Sequence, residues 1–198
     1  MKTILRCLTL LSLWAVCGAL AAPDVAAPMD AAFENADLKS VMDFFRTGKE
    51  INILLRGVAT NAADITVIVK KAPVADVLRY VARCVGARCE FKPYGVIFTA
   101  GTPPTARPAS GALAARLRKR IDISFTDADV FDVVQWLLQG NDINMVCVRP
   151  AAWRERKLTL AVPNVTIKDA LGYVTEFTGV SIVIDANTVI VGDKLAKK

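Results

Sequence analysis

The sequence contains no histidine. That removes the side chain most often used as a general base near neutral pH, and the commonest metal ligand. A zinc site would have to draw on cysteine with aspartate or glutamate, and the chain groups these residues at no such spacing. Neither G-x-G-x-x-G nor G-x-S-x-G occurs, so a phosphate-cradling loop and a nucleophile elbow are missing as well. No run of about 20 apolar residues, the length that spans a bilayer, is present. The basic stretch 101–120 has five cationic side chains and no acidic one. Together these absences exclude the usual catalytic, cofactor and metal constellations and predict a protein that is not an enzyme.

What is present begins with an export signal. Lys2 and Arg6 precede an apolar stretch over 7–16, followed by Ala19, Leu20 and Ala21. This is the layout of a secretory signal peptide, and it predicts cleavage after residue 21 and a periplasmic location. Cys84, Cys89 and Cys147 remain in the mature chain. Export permits disulfides. Cys84 at a helix end and Cys89 in the strand beyond Gly86 form a candidate bond, against two small buried thiols as the alternative. Residues 31–100 carry a net charge of +3 and residues 121–193 a net charge of −5, with a basic tail over 194–198. The contrast reads either as solvated charge or as a contact with an acidic partner, a membrane surface or the second half itself. An exported protein rarely meets nucleic acid, so none is expected.

The dominant feature is a repeat. Residues 33–56 align with 125–148, and residues 65–99 with 158–192; of the 59 pairs, 16 are identical. A repeat fixes the unit of folding, so it precedes any reading of elements. Shared residues are fold residues first, and differences between the copies are where a specific task can lie.

The second copy has the clearer signals. Residues 121–125 alternate as a strand. Asp129 suits the cap of a helix that ends at Gly140. The apolar stripe on that helix is broad enough to require cover on two sides. Strands follow over 143–148 and 157–162. Thr166 and Asp169 open a second helix with a capping box, Gly179 ends it, and 181–184 and 188–191 form a hairpin. The first copy repeats the order, with Pro73 opening its second helix. The fold class is α+β, with two domains over 30–100 and 121–193 of order β-α-β-β-α-β-β. A semi-stiff proline- and alanine-rich linker over 101–120 joins them, with a helical turn over 113–117.

Most shared polar residues have a structural explanation. Asp37, Asp129, Asp76 and Asp169 stand at helix starts, where carboxylates stabilise unpaired N–H groups. Tyr80 and Tyr173 bury their rings. Asn52 and Asn144 bond backbone. In the second copy Phe177 and Ile182 replace Cys84 and Cys89, and apolar packing is expected there. One unshared loop, Trp153, Arg154, Glu155 and Arg156, has the composition of a binding hot spot. Trp153, Arg154 and Arg156 are therefore candidate partner-binding residues, against the alternative of a tryptophan folded back on its own domain.

Two stretches resemble the STN domain, the short N-terminal domain of secretins and TonB-dependent proteins. They are Phe33, Ala36, Asp37 and Leu38 with Gly48, Ile51, Asn52 and Ile53, and Phe125, Ala128, Asp129 and Val130 with Gly140, Ile143, Asn144 and Met145. The run from Val162 to Leu171 with Thr178 and Gly179 is similar to it too. The resemblance covers most of the mature chain. It implies two helices held between small sheets in each domain, and contacts with envelope proteins such as a secretin or an inner-membrane secretion component. The function expected from it is a periplasmic interaction or adaptor module associated with a secretin-type secretion or pilus system. The alternatives are a self-assembling structural envelope protein or a regulatory module like that of TonB-dependent transducers. The chain differs from both family settings in having no secretin pore, membrane barrel or plug.

Overall fold

The computed structural model describes residues 24–59, 64–149, 153 and 156–192. The expected signal peptide over 1–21, the basic tail over 194–198, and Arg154 lie outside the described residues. Among the described residues the fold is α+β. The first half runs β1 (Pro28–Ala36), α1 (Leu38–Lys49), β2 (Ile53–Arg56), β3 (Asp64–Pro73), α2 (Val74–Cys84), β4 (Ala87–Lys92) and β5 (Gly95–Ala100). A short helix, α3 (Gly111–Leu117), leads into the second half. That half runs β6 (Arg120–Asp129), α4 (Val130–Gln139), β7 (Asn144–Arg149), β8 (Lys157–Thr166), α5 (Ile167–Thr178), β9 (Ser181–Asp185) and β10 (Thr188–Gly192).

The caps read from sequence explain most helix starts. Asp37 accepts a hydrogen bond from the Ser40 amide at 2.6 Å, and Asp129 from the Phe131 amide at 2.8 Å. Thr166 accepts from the Asp169 amide at 3.1 Å, and the Asp169 carboxylate bonds back to the Thr166 hydroxyl at 2.6 Å rather than to its backbone N–H, so the box closes through the side chain. Asp76 departs from its repeat partner. It stands in the first turn of α2, yet its carboxylate is engaged by arginines rather than by a cap.

The repeat extends to backbone detail that sequence periodicity does not reveal. In each half the first strand carries two β-bulges at matching places, Met29/Ala31 and Phe33/Ala36 in β1, Ile121/Ile123 and Phe125/Ala128 in β6. Asn35 and its partner Asp127 both take positive φ, as do Lys71 and Asn164, and Glu50 and Asp142. Local hydrogen bonds hold these turns in both halves. The Asn35 and Asp127 amides donate to the hydroxyls of Thr66 and Thr159, at 3.2 and 3.0 Å. The Lys71 and Asn164 amides donate to the carboxylates of Asp30 and Asp122, both at 2.7 Å. In each case the acceptor side chain stands on the paired strand, where it bonds the backbone at a bulge.

Each half pairs its first and third strands, β1 with β3 and β6 with β8. Each also builds a three-stranded sheet with its last strand central, β2-β5-β4 and β7-β10-β9. The sheets do not stop at the boundary between the halves. β3 pairs antiparallel with β7, so five strands in the order β1-β3-β7-β10-β9 form one sheet through both halves. Two apolar cores lie beside it. Val146 and Ile190, from the second half, belong to the core of the first. The segment expected as a linker is docked on the second half. Leu113 and Leu117 of α3 enter its core, and the Ser110 amide donates to the Ala186 carbonyl at 2.8 Å.

Candidate interaction surfaces

The seam between the halves holds buried polar and charged side chains, among them Thr66, Asp76, Arg83 and Asp185. It starts with the β3–β7 ladder, which sets Ile65 opposite Val148, Thr66 opposite Cys147, Val67 opposite Val146 and Ile68 opposite Met145. Beyond the ladder the Asn144 side chain takes over the backbone's role, accepting from the Lys70 amide at 2.8 Å and donating to the Lys70 carbonyl at 3.3 Å. On one side of the sheet, α2 lies across the seam. Asp185, on β9, is 4% exposed and meets Arg83 of α2 at 3.3 Å. Arg107, from the docked segment, donates to Asp185 at 2.9 Å and to Asp76 at 2.8 Å. Arg83 also donates to the Pro104 carbonyl. Partial burial alone would lower the pKa of Arg107, but its bonds to Asp76 and Asp185 more than reverse this and raise it above the ordinary value. A cleft of about 170 Å³ opens beside this clamp, lined by Arg79, Arg83, Cys89, Pro104, Arg107 and Asp185 among others.

Because each half repeats the same construction, the seam leaves two counterparts without a described strand beside them. β2 corresponds to β7, and β8 to β3. Neither free edge pairs among the described residues. Their burial differs accordingly. Met145, Val146 and Cys147 of β7 are buried, whereas Ile53 and Leu55 of β2 are partly exposed and Leu54 is 49% exposed. Thr66 of β3 is buried, and its counterpart Thr159 of β8 is exposed. Helix α5 shows the same contrast with α2. Asp76, Tyr80 and Arg83 are buried, while Asp169 and Glu176 are exposed and Tyr173 is partly so. Phe177 is 65% exposed, so the packing expected for it from the sequence is not found within the chain.

The residues singled out by sequence fall elsewhere. Trp153 is fully buried in the core of the second half, so its indole presents no surface to a partner. Arg156 beside it donates to the Thr178 carbonyl at 2.7 Å and, through its own carbonyl, accepts from the Val130 amide at 3.2 Å. Both bonds tie the β7–β8 connection to its own domain. The candidate disulfide is not formed, since Cys84 and Cys89 are free thiols. They look toward different neighbours. Cys89 stands opposite Phe98 in the β4–β5 ladder, with Arg79 close by, and Cys84 packs against the core of the first half. Burial pushes the Cys89 thiol up to about 12 and that of Cys84 higher still. Thiolate is the reactive form. Alkylation of the native protein by iodoacetamide at pH 8 is therefore expected to be at least tenfold slower at both residues than in urea. Its rate should keep rising past pH 9 rather than level off there. Mass-spectrometric counting of labelled cysteines checks this.

Sequence reading missed Arg107 and the pairs Arg83–Asp185 and Asn144–Lys70. A signal was there to find. Arg83 aligns with Glu176 and Asp185 with Lys92, two charge reversals at positions that touch across the seam. Among the described residues no group of three or more histidine, cysteine, aspartate or glutamate side chains is placed to hold a metal ion. No described helix is long and apolar enough to cross a membrane. Compared with protein-family models, curated proteins and solved structures, the chain has no match in any of the three.

Proposed function

We propose that this protein is an exported, periplasmic interaction or adaptor module serving a secretin-type secretion or pilus system, with no catalysis of its own. Its envelope setting comes from the signal-peptide layout and the resemblance to STN domains. The observation that carries the binding role is structural: the strand edges β2 and β8 are open, and the exposed apolar side chains Leu54 and Phe177 lie on or beside them. An open edge offers a ladder of main-chain donors and acceptors, and a flanking apolar side chain supplies burial, which together are the elements of recognition by strand addition. The strands β1, β4, β6 and β9 are edges as well; two bulges in each of β1 and β6 interrupt the ladder, and neither Leu54 nor Phe177 lies on β4 or β9.

A photoreactive amino acid placed at position 54 or 177 of the chain in intact cells tests this reading, with position 39 as control. The Lys39 side chain, on α1, is 78% exposed. Adducts with another envelope protein at positions 54 or 177, and not at 39, are expected. Recovery of the chain in the cytoplasm, or adducts at 39 equal to those at the edges, would overturn it.

A further inference from the structure

We propose that the chain binds copies of itself head to tail, the β8 edge of one molecule pairing antiparallel with the β2 edge of the next. The inference rests on the interaction reading above for the binding role of these edges, and it names the partner as a second copy of this chain. The contact repeats, between molecules, the seam that already joins the two halves within one.

The repeat supplies the register. Moving each pair of the β3–β7 ladder to its counterparts sets Leu158 opposite Arg56, Thr159 opposite Leu55, Leu160 opposite Leu54 and Ala161 opposite Ile53. Leu54 then takes the place of Val146, which lies 0% exposed in the neighbouring core. The 49% exposed face of Leu54 is thus the face that β7 buries.

Helix α5 offers two more matches. Phe177 is the counterpart of Cys84, which packs against the core that also holds Val146. The same placement between molecules sets the 65% exposed Phe177 on the sheet face that carries Leu54 of the next copy. The ion pair gives the most specific match. Arg83 and Asp185 meet at 3.3 Å across the internal seam, each with a side chain 6% exposed. Their counterparts are Glu176 and Lys92. Both charges are reversed, so the pair stays complementary although neither residue is kept. Two independent substitutions that preserve attraction fit a contact that is used.

Two of the other exposed aromatics do not compete for this explanation. Phe44 and Trp136 are counterparts of one another and stack edge-to-face within their own halves, on Phe33 at 4.7 Å and on Phe125 at 5.4 Å. One element of the internal seam is absent between molecules. Pro163 stands where Lys70 donates its amide to Asn144, so Asn52 of the next copy keeps an acceptor in the Pro163 carbonyl and loses that donor. The contact is heterologous, and each added copy presents a fresh β2 or β8 edge, so assembly passes beyond a dimer.

Sedimentation velocity of the mature chain at low salt tests this. The wild-type chain is expected to form species larger than a dimer that grow with concentration. Leu54→Lys, at a half-exposed site with little effect on folding, should leave a monomer with unchanged circular dichroism. Glu176→Lys and Lys92→Glu each place like charges across the contact, and each alone should associate at least tenfold more weakly. An equimolar mixture of the two should restore assembly, because every contact then joins opposite charges. A wild-type monomer at all concentrations, an unaffected Leu54→Lys variant, or a mixture no better than its components would overturn the proposal. A monomer that still crosslinks to another envelope protein from position 54 would remove self-assembly and leave the adaptor reading standing. An assembling chain that crosslinks only to itself would do the reverse.

Discussion

Replacing Arg83 with methionine is expected to lower the stability of the protein by about 3 kcal/mol, the low end of the cost of removing one partner from a buried ion pair. Methionine keeps the apolar stem that lies along α2 and takes away the charge. Asp185 would then remain 4% exposed, with Arg107 as its one remaining guanidinium partner among the described residues. The Pro104 carbonyl would lose its donor at the same time. Both losses fall on the seam, so they should loosen the docked segment around 101–110 as well as destabilise the whole. Urea unfolding gives the first effect, as a lower midpoint at unchanged slope. Limited proteolysis gives the second, as new cleavage between 101 and 110. A change under 1 kcal/mol with no new cleavage would mean that the clamp does not hold the halves together.

Trp153→Ala is expected to cost about 3–5 kcal/mol, the range for emptying a large aromatic site in a core. Each half has a core of modest size, so that is a large share of the about 5–15 kcal/mol typical of a domain. The side chain is fully buried among Val130, Leu158 and their neighbours in the core of the second half. Its emission should be shifted to the blue and shielded from iodide, whereas Trp136, 49% exposed, should be quenched. If Trp153→Ala instead left stability within 0.5 kcal/mol, the level usual for surface sites, the loop would have to present its indole outward.

The repeat, the order of elements and most caps were legible because they follow from local chemistry. Asp129 caps its helix wherever the helix goes, and Thr166 with Asp169 closes a box from four consecutive residues. The pairing of β3 with β7 was not legible, because the apolar pattern of a strand records which face it buries but not which edge it shares. For the same reason Asp76 and Asp169 read alike in sequence and differ in the structure. Asp169 keeps the cap, and Asp76 is taken by Arg79 and Arg107 once α2 lies across the seam. Trp153 was drawn toward the surface by its arginine neighbours, whereas the bonds of Arg156 to its own domain hold that loop inward. In the proposed contact the differences between copies that count are Phe177, Glu176 and Lys92 rather than the loop.

The most direct test of the shared construction of the internal and external seams is a disulfide placed by register. Directly opposed residues of an antiparallel pair have Cα atoms about 4.5–5.5 Å apart, within the range that a disulfide bridges. Ile53→Cys in one preparation and Ala161→Cys in another, mixed under mild oxidation, should give a covalent dimer. Ile53→Cys mixed with Lys157→Cys, four residues out of register on β8, should give none above the wild-type background. Equal crosslinking by the two mixtures, or none in either, would contradict a β8–β2 contact built on the pattern of β3 and β7.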